Sequence, residues 1–116
     1  AFSRTVSEAL IAAEEFEDEG ISVEVIDPRT IQPLDMDTII KSVKKTGRLV
    51  ISSDDVKGGG LCSEIAMNVI EGAFDYLDAP IKRVSSPDLP VPFSPELEKK
   101  YLPGKQRIMN AVKSLL

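Results

Sequence analysis

The sequence predicts an α/β fold of three layers, α/β/α, in which helices cover both faces of a mainly parallel sheet. Three observations carry this expectation. Helix-spaced and strand-like segments alternate along the chain, glycines mark the ends of two helical runs, and residues 48–52 (RLVIS) are continuously apolar within a polar border. A strand without apolar–polar alternation is one covered on both sides, and alternating helices and strands build right-handed crossover units with parallel strands.

From Thr5, the apolar positions Val6, Leu10, Ala13 and Phe16, with Ala9 between them, recur at helical spacing, while Glu8, Glu14, Glu15, Glu17 and Asp18 take the other face. Gly20 supplies the stop, because glycine takes the left-handed conformation that closes a helix. Val23, Val25 and Ile26 form a β-branched run ended by Asp27-Pro28, which reads as a strand. After an irregular stretch, Asp35 or Asp37 can accept hydrogen bonds from the free amides of a second helix, which carries Ile39, Ile40 and Val43 and ends at Gly47. Residues 48–52 then form a buried parallel strand. Gly58-Gly59-Gly60 leads into a helix with Leu61, Ile65, Val69 and Ala73 on one side, ending near Leu77. Asp78-Ala79-Pro80 turns the chain into a strand at residues 81–84. Residues 85–95 hold four of the eight prolines and should be an extended surface loop without ladder pairing. A short helix at 96–101 and a terminal one marked by Ile108, Ala111, Val112 and Leu115 complete the order.

The 116 residues suit one domain with a single core. Nineteen acidic against fourteen basic residues give a net charge of -5, which disfavours nucleic acid and anionic membranes and favours a basic partner surface. No apolar run approaches the roughly 20 residues of a membrane span. With Cys62 the single cysteine, no internal disulfide forms, and its place on a helix face suits a buried inert thiol better than a nucleophile. The sequence contains no histidine, which removes the commonest general base and metal ligand together.

Four groups of residues are candidate sites. Gly58-Gly59-Gly60 follows a strand and opens a helix, so its amides could cradle a phosphate. A dinucleotide fingerprint would need glycine where Ser63 stands, and Asp54 and Asp55 repel phosphate, so a structural turn is favoured. Asp54, Asp55 and Glu64 could gather a hard metal, but their spacing specifies no ligand set, and solvated charges are the better reading. Arg29 and Thr30 follow a strand, where ligands of open α/β sheets commonly bind; a loop tethered by the planar Arg29 fork is preferred. Asp88-Leu89-Pro90-Val91-Pro92-Phe93 is either a stiff, preformed contact surface or a loop packed on its own domain.

Several motifs coincide in order. EGISVEVIDPRTIQPLD at residues 19–35 resembles a family pattern in which a strand ends in Asp-Leu-Arg-Thr and continues to Pro-Leu-Asp. SVKKTGRLVIS at 42–52, the glycine-led helix with Ser63-Glu64-Ile65, LDAPIKRVSSPDLPVPF at 77–93 and LEKKYLP at 97–103 follow, so the likeness covers almost the whole chain. The family is the beta subunit of the thiamine-diphosphate-dependent decarboxylase component of 2-oxoacid dehydrogenase complexes, of pyruvate, branched-chain or acetoin type. The part resembled is its C-terminal, transketolase C-terminal-like domain. Pro28 departs from the family's leucine and should stiffen the strand exit. Ser53-Asp54-Asp55 stands where a glutamate-containing segment is common, which puts any role of that glutamate in doubt.

The resemblance implies that residues 1–116 are a single domain and an N-terminally incomplete piece of a larger beta subunit. In the family two further strands precede the first helix, one of them central in the sheet, and this sequence starts about where that strand should end. Without it backbone groups would lack partners, and the chain is expected not to fold stably alone. Thiamine diphosphate and magnesium would lie between the alpha subunit and the missing N-terminal domain, so no catalytic, cofactor or metal residue is carried over. The domain's expected work is assembly of an α2β2 tetramer, with the alpha subunit and a second beta subunit, and docking of the acyltransferase core component. The whole enzyme, most closely of pyruvate type, would oxidatively decarboxylate a 2-oxoacid and acylate the core component's lipoyl group. Because the docking module is basic in many complexes, Asp78, Asp88 and the terminal carboxylate of Leu116 are assigned to an acidic docking surface. Arg29, Thr30, Pro33 and Asp35 are assigned to a structural loop. The expected compartment is the cytoplasm of a bacterium or archaeon, or the mitochondrial matrix of a eukaryote. Alternatives are the C-terminal domain of another transketolase-like enzyme, without core docking, and a stand-alone nucleotide-binding module built on Gly58 to Gly60.

Overall fold

In the computed structural model, which describes residues 1–116, five helices surround two parallel strands. The order is α1 (Arg4–Asp18), α2 (Met36–Thr46), β1 (Val50–Val56), α3 (Leu61–Ala73), a 3-10 turn (Phe74–Tyr76), β2 (Lys82–Ser86), α4 (Pro95–Tyr101) and α5 (Lys105–Lys113). Helices α2 and α3 cover one face of the sheet and α1 and α5 the other. The three-layer arrangement with parallel strands therefore stands.

The α2–α3 face is built as the spacing dictates. Ile39 and Val43 of α2, Ile51 of β1 and Cys62, Ile65, Val69 and Ala73 of α3 form one buried cluster. Asp35 starts α2, accepting from the Thr38 amide at 3.0 Å and the Thr38 hydroxyl at 2.6 Å. Gly47 ends it at φ 72°, and a Cβ there would lie 2.2 Å from an Asp78 carboxylate oxygen. Cys62 is buried within this cluster.

On the other face, α1 is turned relative to its expected stripe. Thr5, Ala12 and Phe16 are buried, whereas Leu10 is 50% exposed. The small side chains of Ala9 and Ala12 admit α1 close to the second core cluster, which Phe16, Val84, Ile108 and Met109 complete. Thr5 is tolerated there because its hydroxyl bonds to the carbonyls of Phe2 (2.8 Å) and Ser52 (3.0 Å).

Three strand expectations need correction. Residues 23–26 form no ladder, because no strand lies beside them. Strand β1 begins at Val50 and runs to Val56, beyond the expected 48–52, and β2 continues through Ser85 and Ser86, beyond the expected end at Val84. Ser86 fits here because its hydroxyl donates to the Asp54 carbonyl at 2.8 Å and its carbonyl accepts the Lys57 amide at 3.0 Å, whereas the buried hydroxyls of Ser52 and Ser85 have no hydrogen-bond partner.

Candidate functional site

At the carboxyl ends of the strands, the candidate phosphate and metal residues already have partners. The Asp88 carboxylate accepts the Gly58 amide at 2.7 Å, and Asp55 accepts the Leu61 amide at 2.8 Å and the Val56 amide at 2.8 Å. The chain's own carboxylates thus occupy the positive end of α3 and its glycine turn. Asp54 forms a two-pronged pair with Arg4, whose Nη2 lies 2.6 Å from Oδ1 and whose Nε lies 3.2 Å from either oxygen. This pairing holds the Arg4 pKa above its usual value, chiefly through the hydrogen bond to Asp54. Glu64 faces its own helix, accepting from Asn68 at 3.3 Å. Asp54, Asp55 and Glu64 do not converge into a metal site. Asp55 is solvent-exposed and Asp54 partly so, and both carry hydrogen bonds to their own chain.

The loop assigned a structural part holds itself together locally. Arg29 sits at φ 66°, in the left-handed region, with its amide on the Asp27 carboxylate (3.2 Å) and its Nε 3.1 Å from the same group. It reaches no neighbouring element by these bonds, so its fork closes its own turn instead of tying the loop to the body. The Thr30 hydroxyl donates to the Pro33 carbonyl at 2.9 Å, the Gln32–Pro33 peptide is cis, and Asp35 opens α2. The Asp35 pKa lies below the usual carboxylate value because the Thr38 hydroxyl and amide both bond to it.

Asp78 and Asp88 lie at opposite ends of β2, one before its first residue and one after its last. Asp78 donates its amide to the Gly47 carbonyl at 2.8 Å, beside the start of β1. Leu116 is exposed just after α5, whose Lys113 pairs with Glu19 at 3.2 Å. Of the surface loop, Leu89, Val91 and Phe93 stand out into solvent, Phe93 completely. The loop is nevertheless pinned, since the buried Tyr101 donates its hydroxyl to the Leu89 carbonyl at 3.0 Å.

Sequence reading did not single out one apolar concavity. A groove of about 450 Å³ runs between residues 21–26 and β1. Ala9, Ala12, Phe16 and Ile108 line it from one helical layer, and Ile39 and Ile65 from the other. Ala1 and Phe2 close one end: the Ala1 amine donates to the Ile26 carbonyl at 2.9 Å and the Phe2 amide to the Ser52 carbonyl at 3.1 Å. The clue in the sequence was the β-branched set Val23, Val25 and Ile26, whose side chains need cover.

Known proteins share both the sequence and this architecture. The beta subunit of the pyruvate dehydrogenase E1 component of Rickettsia bellii is 50% identical over 98% of this chain. The corresponding mitochondrial subunit beta-1 of Arabidopsis thaliana is 46% identical over 97%. The beta subunit of acetoin:2,6-dichlorophenolindophenol oxidoreductase of Bacillus subtilis is 44% identical over 100%. The chain spans 35%, 31% and 34% of these relatives, about a third of their length. A solved structure described as a split gene transketolase, an inactive beta4 tetramer, superposes with a TM-score of 0.83 at 28% identity, over 99% of this chain and 36% of the other. Residues 1–108 match the family described as transketolase, C-terminal domain, and the chain belongs to that family.

Proposed function

We propose that the chain is the C-terminal domain of the beta subunit of a thiamine-diphosphate-dependent 2-oxoacid dehydrogenase of pyruvate type, and that it serves assembly and docking. The observation that carries this reading is the reach of the likeness: 50% and 46% identity to pyruvate dehydrogenase beta subunits across nearly the whole chain, against 28% to the split gene transketolase. The acetoin-type relative, at 44% over the full chain, supports acetoin chemistry as the second reading. A stand-alone nucleotide-binding module loses its support, because its amides at Gly58 and Leu61 already bond to Asp88 and Asp55.

Thiamine diphosphate and magnesium find no fit among these residues. A diphosphate needs free amides or cations, and its metal needs gathered carboxylates or carbonyls. Here Arg4 pairs with Asp54, the Gly58 amide is taken by Asp88, and the groove is lined mainly by hydrocarbon. No catalytic step is therefore assigned to this chain. Its proposed partners are the alpha subunit, a second beta subunit and the acyltransferase core component. The proposed residues for the core component's basic docking module are Asp78, where β1 begins, and the Leu116 carboxylate; Asp88, capping Gly58 at the far end, would act separately. No helix is long and apolar enough to cross a membrane. With relatives in bacteria and mitochondria, the proposed compartment is the cytoplasm in the first case and the mitochondrial matrix in the second.

The test is a chimera. The matching third of the Rickettsia bellii beta subunit is replaced by this chain and co-expressed with the alpha subunit. The expected result is an α2β2 tetramer that transfers acetyl groups from pyruvate to the lipoyl group of the core component. A tetramer active on acetoin alone would select the second reading, and a chimera that expresses but does not assemble would overturn both. Asp78→Lys in the active chimera should weaken capture of the core component at low salt; unchanged capture removes Asp78 from the docking surface.

A further inference from the structure

The loop after β2 is shaped by its own sequence. Prolines stand at 87, 90, 92 and 95, so Leu89, Val91 and Ser94 each precede a proline. A proline fixes its own φ and pushes the residue before it out of the helical region, so this run can only be extended. Ser94, at φ -64° and ψ 129°, lies in the polyproline region. The amides of Val91, Phe93 and Ser94 donate no hydrogen bond, as in a polyproline helix, which has none of its own. The run is held from its ends: Asp88 accepts the Gly58 amide, and Tyr101 donates to the Leu89 carbonyl. Between those clamps only Pro92 is half-buried, while Val91, Phe93, Ser94 and Pro95 are exposed.

We propose that residues 91–95 are a preformed polyproline-type ligand that docks into an aromatic-lined groove, rimmed by lysine or arginine, on another protein. Val91-Pro92 and Ser94-Pro95 are two residue-proline pairs separated by Phe93. With about three residues per turn, both prolines fall on one ridge, the spacing that aromatic grooves accept. Phe93 adds an aromatic ring free to pack against another. The basic rim follows from charge: Asp88, Glu96 and Glu98 flank the run, and no cation stands between Arg83 and Lys99. The same carboxylates disfavour an anionic membrane as the surface that covers Phe93. A second copy of the chain is a poorer fit. Its exposed aromatic pair, Phe74 and Tyr76, sits on a 3-10 turn with Lys44 over the Tyr76 ring, and lines no part of the apolar groove. Because the loop is already ordered, docking costs little backbone entropy. None of this recognition depends on the enzyme reading.

The experiment uses the native protein in the assembly it forms. The probes are three purified domains with aromatic grooves, of SH3, WW and EVH1 type, each chosen with lysine or arginine at the groove rim. Saturable binding to at least one is expected below about 1 mM. Phe93→Ala should weaken it by about tenfold or more and leave the unfolding midpoint unchanged, since the side chain touches solvent alone. Glu96→Lys with Glu98→Lys should weaken it by about fivefold at low salt, a difference that fades at high salt. Absence of saturation with all three probes would overturn the proposal. So would binding indifferent to Phe93→Ala, or binding that survives replacement of the groove aromatics by alanine. A synthetic peptide of residues 87–95 that binds when the native protein does not would overturn it too, since the loop would then be covered within its own assembly. Self-association or attachment to anionic vesicles that Phe93→Ala abolishes would overturn it in favour of a second copy or a membrane.

Discussion

The two edges of β1 meet opposite fates. Toward β2 the ladder is made, and behind it Val43 and Val69 are 1% and 0% exposed in the α2–α3 core. Toward residues 21–26 the edge is open, and the half-buried Val23, Val25 and Val50 face a groove. The same residue types, in one sheet plane, are thus held in place on one side and left without a neighbour on the other. Apolar patterning recruits a segment to the core, but strand pairing requires a second backbone within reach.

The largest expected effect tests the closed side. Ile39→Ala should cost about 2–5 kcal/mol of stability by denaturant titration, whereas Val23→Ala at the groove should cost under about 1 kcal/mol in the chain alone. Equal losses would break the contrast. Next comes Gly47→Ala, which combines φ 72° with the approach of Asp78 and should cost about 1–3 kcal/mol. Adding Asp78→Ala should return only the steric part. Arg4→Ala removes the pair with Asp54; the guanidinium is 39% exposed, so screening limits the loss to under about 1 kcal/mol, shrinking further in high salt.

Helices α2 and α3 were legible because their signals are local: an aspartate cap, a closing glycine and one apolar stripe. Helix α1 was misphased because Leu10 outranks Ala9 and Ala12 in hydrophobicity, yet close approach to the sheet selects the small side chains. The buried serines of β1 and β2 read as strand ends, since their backbone partners lie about 30 residues away in sequence. The Arg4–Asp54 pair, the Thr5 node and the groove all depend on such distant juxtapositions. The family resemblance supplied the overall architecture; it did not supply which carboxylates would be consumed as caps.

The pinned loop of residues 87–94 separates two properties often treated as one. Phe93 is fully exposed, but Asp88 is bonded to Gly58, Leu89 to Tyr101, and prolines stand at 87, 90, 92 and 95. A protease must draw several residues into an extended cleft, and a backbone this constrained resists being drawn. Chymotrypsin should accordingly cut slowly at the most exposed aromatic residue of the chain, so that accessibility to solvent and accessibility to an enzyme diverge at a single side chain.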